Sequence, residues 1–126
     1  MTSTLTAPCV AIRGHGGLFA GVDMTLVPGE TVVVGRSRTC DVSLLAPGRR
    51  AHASQLGRVS RIHCEIECLK AGDVEIRDLS RNGTLVDGVR VGRTHLFRLD
   101  GGRATVELID GTWGKLLLSE TDGSDE

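Results

Sequence analysis

Aromatic side chains are almost missing from this chain of 126 residues: 2% of the total, with no tyrosine, two phenylalanines and one tryptophan. A core built here has to come from Val, Leu, Ile and Ala. The same scarcity removes the stacking platforms on which single-stranded nucleic acid is held. Lysine is scarce as well, because 13 of the 15 basic residues are arginine, whose planar fork of donors suits carboxylate and phosphate. No apolar run approaches the roughly eighteen residues a membrane span needs, and MTSTLTAPC lacks the basic start and apolar centre of a signal peptide. A cytoplasmic protein with no membrane partner is expected. The four cysteines, Cys9, Cys40, Cys64 and Cys68, then read as reduced thiols.

Net charge is -1, which gives no reason by itself to expect a nucleic acid. Its distribution is uneven. Glu120, Asp122, Asp125 and Glu126 crowd the last seven residues, so the remaining body carries 15 basic against 12 acidic side chains, a net of +3. The length fits one domain with a single core.

Helical periodicity is hard to find, whereas short Val, Ile and Leu runs recur between glycine-bearing breaks, the pattern of an all-β sandwich or barrel. The candidates are CVAIR, LFAGVDMTLV, TVVVG, DVSLLA, RIHCEIECL, DVEIRDL, TLV, VRV, HLFRL, ATVELI and KLLLS. Within one of them Ile62, Cys64, Ile66 and Cys68 alternate with His63, Glu65 and Glu67, which predicts one apolar and one polar face. Pro28-Gly29, Asp87-Gly88 and Asp100-Gly101-Gly102 supply turn chemistry between runs. Residues 1–8 and the acidic residues 119–126 read as flexible ends around a domain spanning 9–118. Pro47 to Arg58, with Arg49, Arg50, His52 and Arg58 and no acid, reads as a long basic surface loop.

Gly35-Arg36, Ser60-Arg61 and Asn82-Gly83 each stand at the start or end of a strand-like run, so a sandwich gathers them on loops at one end. Arginine gives charge-assisted, bidentate bonds to phosphate oxygens, a serine hydroxyl adds another donor, and a carboxamide matches the alternating groups of a peptide backbone. GRS at 35–37, CD at 40–41, SRIH at 60–63, DLSRNGT at 78–84 and VDG at 86–88, in that order, resemble the signature of the forkhead-associated (FHA) domain. The resemblance implies an FHA-type β-sandwich of about eleven strands in two antiparallel or mixed sheets, with ligand loops at one end. It implies a non-catalytic module that binds phosphothreonine peptides. Arg36 would then hold the phosphate, Ser60 would donate its hydroxyl to it, and Asn82 would hold the ligand backbone. Arg61 and Arg81 would reach the phosphate from the flanks, while Gly35, His63, Gly83 and Thr84 keep the loops in shape. Two features depart from the family pattern. The segment from Asp41 to Ser60 is longer by roughly ten residues, and Arg81 stands where a smaller polar residue is common.

Other chemistries fit less well. HCEIEC resembles a metal-ligand string, but on a strand Cys64 and Cys68 lie roughly 13 Å apart, too far to share one zinc. RGHGGLFAG lacks the ending of a nucleotide loop. Asp41, Asp78 and Asp87 fit turn and strand-end roles and form no matched acid and base. No enzyme, metal or cofactor is expected. The expected partner is a phosphothreonine protein, the product of a Ser/Thr kinase, with acidic residues near the phosphothreonine to suit the basic loop. A phosphorylated terminus of this chain, carrying Thr2, Thr4, Thr6 or Thr121, is a further candidate. The alternatives are a docking domain that needs no phosphate and, less favoured, a nucleic-acid binder using Arg49, Arg50, Arg58 and Arg61.

Overall fold

Each of the eleven apolar runs carries one strand. The computed structural model describes residues 9–44, 57–69, 73–108 and 114–121, and in these the strands are β1 (Cys9–His15), β2 (Asp23–Leu26), β3 (Thr31–Gly35), β4 (Val42–Ser43), β5 (Cys64–Cys68), β6 (Asp73–Asp78), β7 (Leu85–Val86), β8 (Val89–Arg90), β9 (Thr94–Arg98), β10 (Arg103–Glu107) and β11 (Lys115–Thr121). They form a six-stranded sheet ordered β2-β1-β11-β10-β7-β8 and a five-stranded sheet ordered β4-β3-β5-β6-β9. Only β3 and β4 pair in parallel. The two-layer, all-β architecture is the expected sandwich.

Alternation builds the core between the layers. Val32 and Val34 of β3, Cys64, Ile66 and Cys68 of β5, and Val74 and Ile76 of β6 are buried, and they face Val10 and Ile12 of β1 and Leu116 and Leu118 of β11. Phe19 is the one fully buried phenylalanine among the described residues, and aliphatic chains and cysteines fill most of the interior. Fully burying each of these side chains stabilises the fold by about 1.5–3 kcal/mol.

Three expectations change. The run LFAGVDMTLV is not one strand: Gly16, Gly17 and Gly21 take positive φ, a 3-10 turn occupies Gly17–Phe19, and pairing begins only at Asp23. The face alternation around Cys64 does not extend back to His63, which is fully buried and does not share the polar face of Glu65 and Glu67 that the alternation predicts for it. Strand β5 starts at Cys64, and the bend before it turns the His63 ring inward. Finally, residues 119–121 are not a free tail, because Ser119, Glu120 and Thr121 pair with Ala11, Val10 and Cys9. The expected flexible ends 1–8 and 122–126, and 47–56 of the basic loop, lie outside the described residues.

Strand direction fixes which loops share an end. The Val27–Glu30 turn, closed by the Glu30 N–H to the Val27 carbonyl at 3.0 Å, joins the end of β2 to the start of β3. Val10 pairs with Leu26 and with Glu120, Thr31 with Glu67, and Asp73 with Arg98. One end of the sandwich therefore holds the 27–30 turn, the 99–102 turn and the outer ends of β1 and β11. The loops after β3, before β5 and after β6 emerge together at the other.

Candidate functional site

Residues 36–41, 57–63 and 79–84 close around a cleft of about 360 Å³ lined by Arg36, Gly57, Arg58, Val59, Ser60, Arg61, Ile62, Arg81 and Asn82. Backbone pairing carries the first two segments past the formal end of the sheet. The Arg36 N–H donates to the Ser60 carbonyl and the Ser37 N–H to the Arg61 carbonyl, both at 3.0 Å. That approach needs glycine at position 35, where a Cβ would run into the Arg61 carbonyl and the His63 nitrogen. Arg36 is half-buried, and its Nε donates to the Val59 carbonyl at 3.1 Å. The guanidinium is thus anchored at one edge, and its terminal nitrogens have no partner among the described residues.

Ser60 joins two walls of the cleft. Its Oγ accepts the Arg81 N–H at 3.0 Å, which leaves the hydroxyl proton to be donated elsewhere. Its own N–H donates to His63 Nδ1 at 3.2 Å, and His63 Nε2 lies 2.7 Å from the Gly83 carbonyl. An N–H on one side and a carbonyl on the other specify a neutral ring with its proton on Nε2. Burial pushes the His63 pKa below the ordinary value, although the Gly83 carbonyl and the Asp78 carboxylate oppose the shift.

The third wall hangs on Asp78. Its Oδ1 accepts the Ser80 N–H at 3.1 Å, the Ser80 hydroxyl, and the Thr84 hydroxyl at 2.9 Å. Partial burial would raise this carboxyl's pKa, but the bonds from Ser80 and Thr84 outweigh it and hold the group below its usual range. Ser80 Oγ in turn accepts the Gly83 N–H at 2.7 Å, and Asn82 Nδ2 donates to the Arg58 carbonyl at 2.9 Å. Asn82 therefore ties its loop to the segment before Ser60 while keeping its carboxamide oxygen at an exposed rim.

Four arginines and no carboxylate line this cleft. A family model for the FHA domain matches residues 32–108, more than half of the chain and every residue of the cleft. The chain belongs to the FHA domain family. Solved FHA domains share its fold at low sequence identity. That of the CT664 protein from Chlamydia trachomatis is 22% identical with a TM-score of 0.67, over 90% of this chain and 98% of the other. An FHA domain from Arabidopsis thaliana is 23% identical with a TM-score of 0.67, over 100% and 97%. The MEK1 FHA domain, solved with a phosphothreonine peptide of HOP1, is 20% identical with a TM-score of 0.61, over 87% and 94%. Among curated proteins no sequence matches significantly.

In this FHA domain Arg36, Ser60, Arg61, Arg81 and Asn82 all line one cleft, and Gly35, His63, Gly83 and Thr84 lie behind its walls. Sequence reasoning missed Arg58 as a lining residue, reading it as part of a basic loop and as one of the arginines of the nucleic-acid alternative. Its place two residues before Ser60 was the available signal. It also missed Ser80, the hinge of the Asp78 network, although Asp-x-Ser is the spacing of a side-chain-to-backbone turn.

Proposed function

We propose that this cleft binds a phosphothreonine-containing segment of a partner protein, the product of a Ser/Thr kinase, in a cytoplasmic setting. The terminal nitrogens of Arg36 and the hydroxyl of Ser60 hold the phosphate, Arg61 and Arg81 flank it, and the Asn82 carboxamide holds the ligand backbone. The observation that carries this reading is the lining itself: four guanidinium groups, a serine hydroxyl already oriented by the Arg81 N–H, and no acid. Phosphothreonine carries close to two negative charges near neutral pH, so such a lining favours it strongly over threonine. FHA domains bind phosphothreonine peptides without catalysis, and this lining offers donors and charge in place of an acid and base pair.

Capture of the chain's own Thr121 within one molecule is disfavoured. That residue is paired with Cys9 in β11, at the end of the sandwich away from the cleft. Thr2, Thr4 and Thr6 lie outside the described residues.

Fluorescence anisotropy of a degenerate phosphothreonine peptide pool, against the same pool with plain threonine, tests the proposal in wild type and Arg36→Ala. Binding should require both the phosphate and Arg36, with a loss of tenfold or more, roughly, in the variant. Equal binding to both pools would instead point to a docking domain that does not read phosphate.

A further inference from the structure

The two most exposed large apolar side chains among the described residues, Val89 at 65% and Leu96 at 61%, stand on β8 and β9. These are the last strands of their sheets, and only residues 91–93 join them, so both edges open on one flank of the sandwich. The hydrogen-bond phase of β9 decides what that edge presents. The Asp78 N–H donates to the Arg93 carbonyl at 2.8 Å, so His95 and Phe97 are the β9 residues that exchange backbone bonds with β6. The backbone N–H and C=O of Thr94, Leu96 and Arg98 point the other way, and no other described strand meets them. Their side chains lie on the outer face, Leu96 beside Glu75, whereas His95 and Phe97 turn inward, half-buried, with ring centroids 5.4 Å apart.

Natural sheet edges are commonly blunted by proline, glycine, a bulge or a central charge. From Thr94 to Phe97 this one has no acid, lysine, arginine, glycine or proline. Arg98, at its end, is drawn back onto Asp73 by a 2.7 Å ion pair. The opposite flank is better guarded: β4 has two residues, and the Gly14 N–H bond to the Val22 carbonyl leaves Asp23 and Thr25 as the outward positions of β2, with Pro28 close behind. Antiparallel pairing of β9 with β9 of a second copy suits the unguarded edge. Centred on Leu96, it sets Leu96 opposite its counterpart and Thr94 opposite Arg98, each pair exchanging both backbone bonds. It sets His95 opposite Phe97 at the closer, non-hydrogen-bonded positions, where ring pairs interact best. No charge faces its like, and the residue that must face itself is an exposed leucine.

We propose that β9 is a homodimer interface, in which two copies join their five-stranded sheets edge to edge about a two-fold axis at Leu96. One strand edge buries less than the roughly 1,200 Å² of a stable complex, so the dimer is transient, with a dissociation constant on the order of 100 μM. Thr94 lies toward the cleft end of the sandwich and Arg98 toward the other. The antiparallel arrangement therefore puts the two arginine-lined clefts at opposite ends of the dimer. On the phosphothreonine reading of the cleft, each dimer links two phosphorylated partners.

Sedimentation velocity and amide hydrogen exchange, each from about 10 μM to 1 mM protein, test the interface in wild type, Leu96→Lys and, on the opposite flank, Thr25→Lys. The wild type should pass from monomer to dimer over this range. With it the amides of Thr94, Leu96 and Arg98 should gain about threefold protection or more, while those of His95 and Phe97, already bonded to β6, stay constant. Leu96→Lys should weaken association about tenfold or more, and Thr25→Lys should behave as wild type. A monomer at every concentration, species larger than a dimer, association that survives Leu96→Lys, or protection confined to residues outside β9 would overturn the interface. The exchange reading needs the wild type alone, so it decides the matter even where a variant unfolds. Beads carrying a phosphothreonine peptide and loaded with about 1 mM protein should then retain a free labelled phosphopeptide with wild type and not with Leu96→Lys. Protein held without the second peptide refutes the placement of the clefts. Beads that hold no protein refute the phosphothreonine reading and leave the β9 interface standing on the sedimentation result.

Discussion

The two ends of the sandwich are built by different means. At the end away from the cleft, short backbone turns do the joining: Gly29 follows Pro28 with a φ of 96°, and Asp100 and Gly101 both take positive φ in a turn closed by the Gly102 N–H to the Leu99 carbonyl at 2.8 Å. At the cleft end, side chains far apart in sequence do it. His63 reaches across 20 residues to Gly83, Arg81 across 21 to Ser60, and Asn82 across 24 to Arg58. The first construction tolerates change better because its turns close locally, and its long-range ties are few: the Gly29 N–H to the Cys68 carbonyl at 2.8 Å, the Cys68 N–H to the Glu30 carbonyl at 2.9 Å and the Gly101 N–H to Glu120 at 2.9 Å. The second holds a ligand site open and rigid, at the risk that one substitution loosens several walls.

Glycine substitution should break the symmetry between the ends most sharply. Gly35→Ala drives a methyl into the Arg61 carbonyl and the His63 nitrogen, with a cost of about 3 kcal/mol or more. Gly29→Ala meets nothing within 4 Å and carries only the strain of its positive φ, about 1 kcal/mol. Urea melts of the two variants read the difference directly, and equal losses would refute the contrast.

Asp78→Ala comes next. It strips the acceptor from the Ser80 hydroxyl and N–H and from the Thr84 hydroxyl, for about 2 kcal/mol of stability. Peptide affinity should fall with it although Arg36 is intact, and Asp78→Asn, which keeps one carbonyl acceptor, should recover part of both. A variant with full affinity would show that the network does not position the cleft.

Acid gives a smaller, graded effect on the same end. The folded pKa of His63 lies below its ordinary 6.5, so the unfolded chain takes up the proton first as pH falls. Stability from the neutral ring is complete above about 6.5 and is lost as pH drops through the lower folded value. The folded pKa of Asp78 lies below 3.8, so its contribution is lost only in stronger acid. Denaturant melts without ligand avoid the titration of the peptide's own phosphate, and the His63 ring signals followed by NMR should titrate below 6.5. A His63 ring that titrates above that value would reverse the sign. The smallest change belongs to the opposite end. Glu120→Gln keeps an oxygen for the Gly101 N–H at this exposed site and should alter stability by about 0.5 kcal/mol or less, with no effect on peptide binding.

The same contrast explains what the sequence made legible. Turns carry their own residue chemistry, so Pro28-Gly29, Asp87-Gly88 and Asp100-Gly101 announce themselves, and Asp87 and Gly88 do take the two positive φ angles of a tight hairpin. Strand β5 is legible from Cys64 to Cys68 because its burial alternates strictly. His63 is not, because period-two reasoning holds only inside a strand and the ring sits one residue before it. The five expected ligand residues are readable from motif spacing, since each motif sits at a strand end. Arg58 and Ser80 carry local signals as well, the first in its place two residues before Ser60 and the second in the Asp-x-Ser turn, whereas Arg90 carries none, because it lies against Gly83, seven positions earlier, only after β7 and β8 have folded back.

An NMR titration of the protein's amide signals with a phosphothreonine peptide tests the central claim most directly. Shifts should concentrate at Arg36, Ser60, Arg61, Arg81, Asn82 and Gly83, while Gly29, Gly101 and Glu120 stay still. Shifts centred on those last three residues, or an equal response to the unphosphorylated peptide, would contradict a phosphothreonine site at the arginine-lined end.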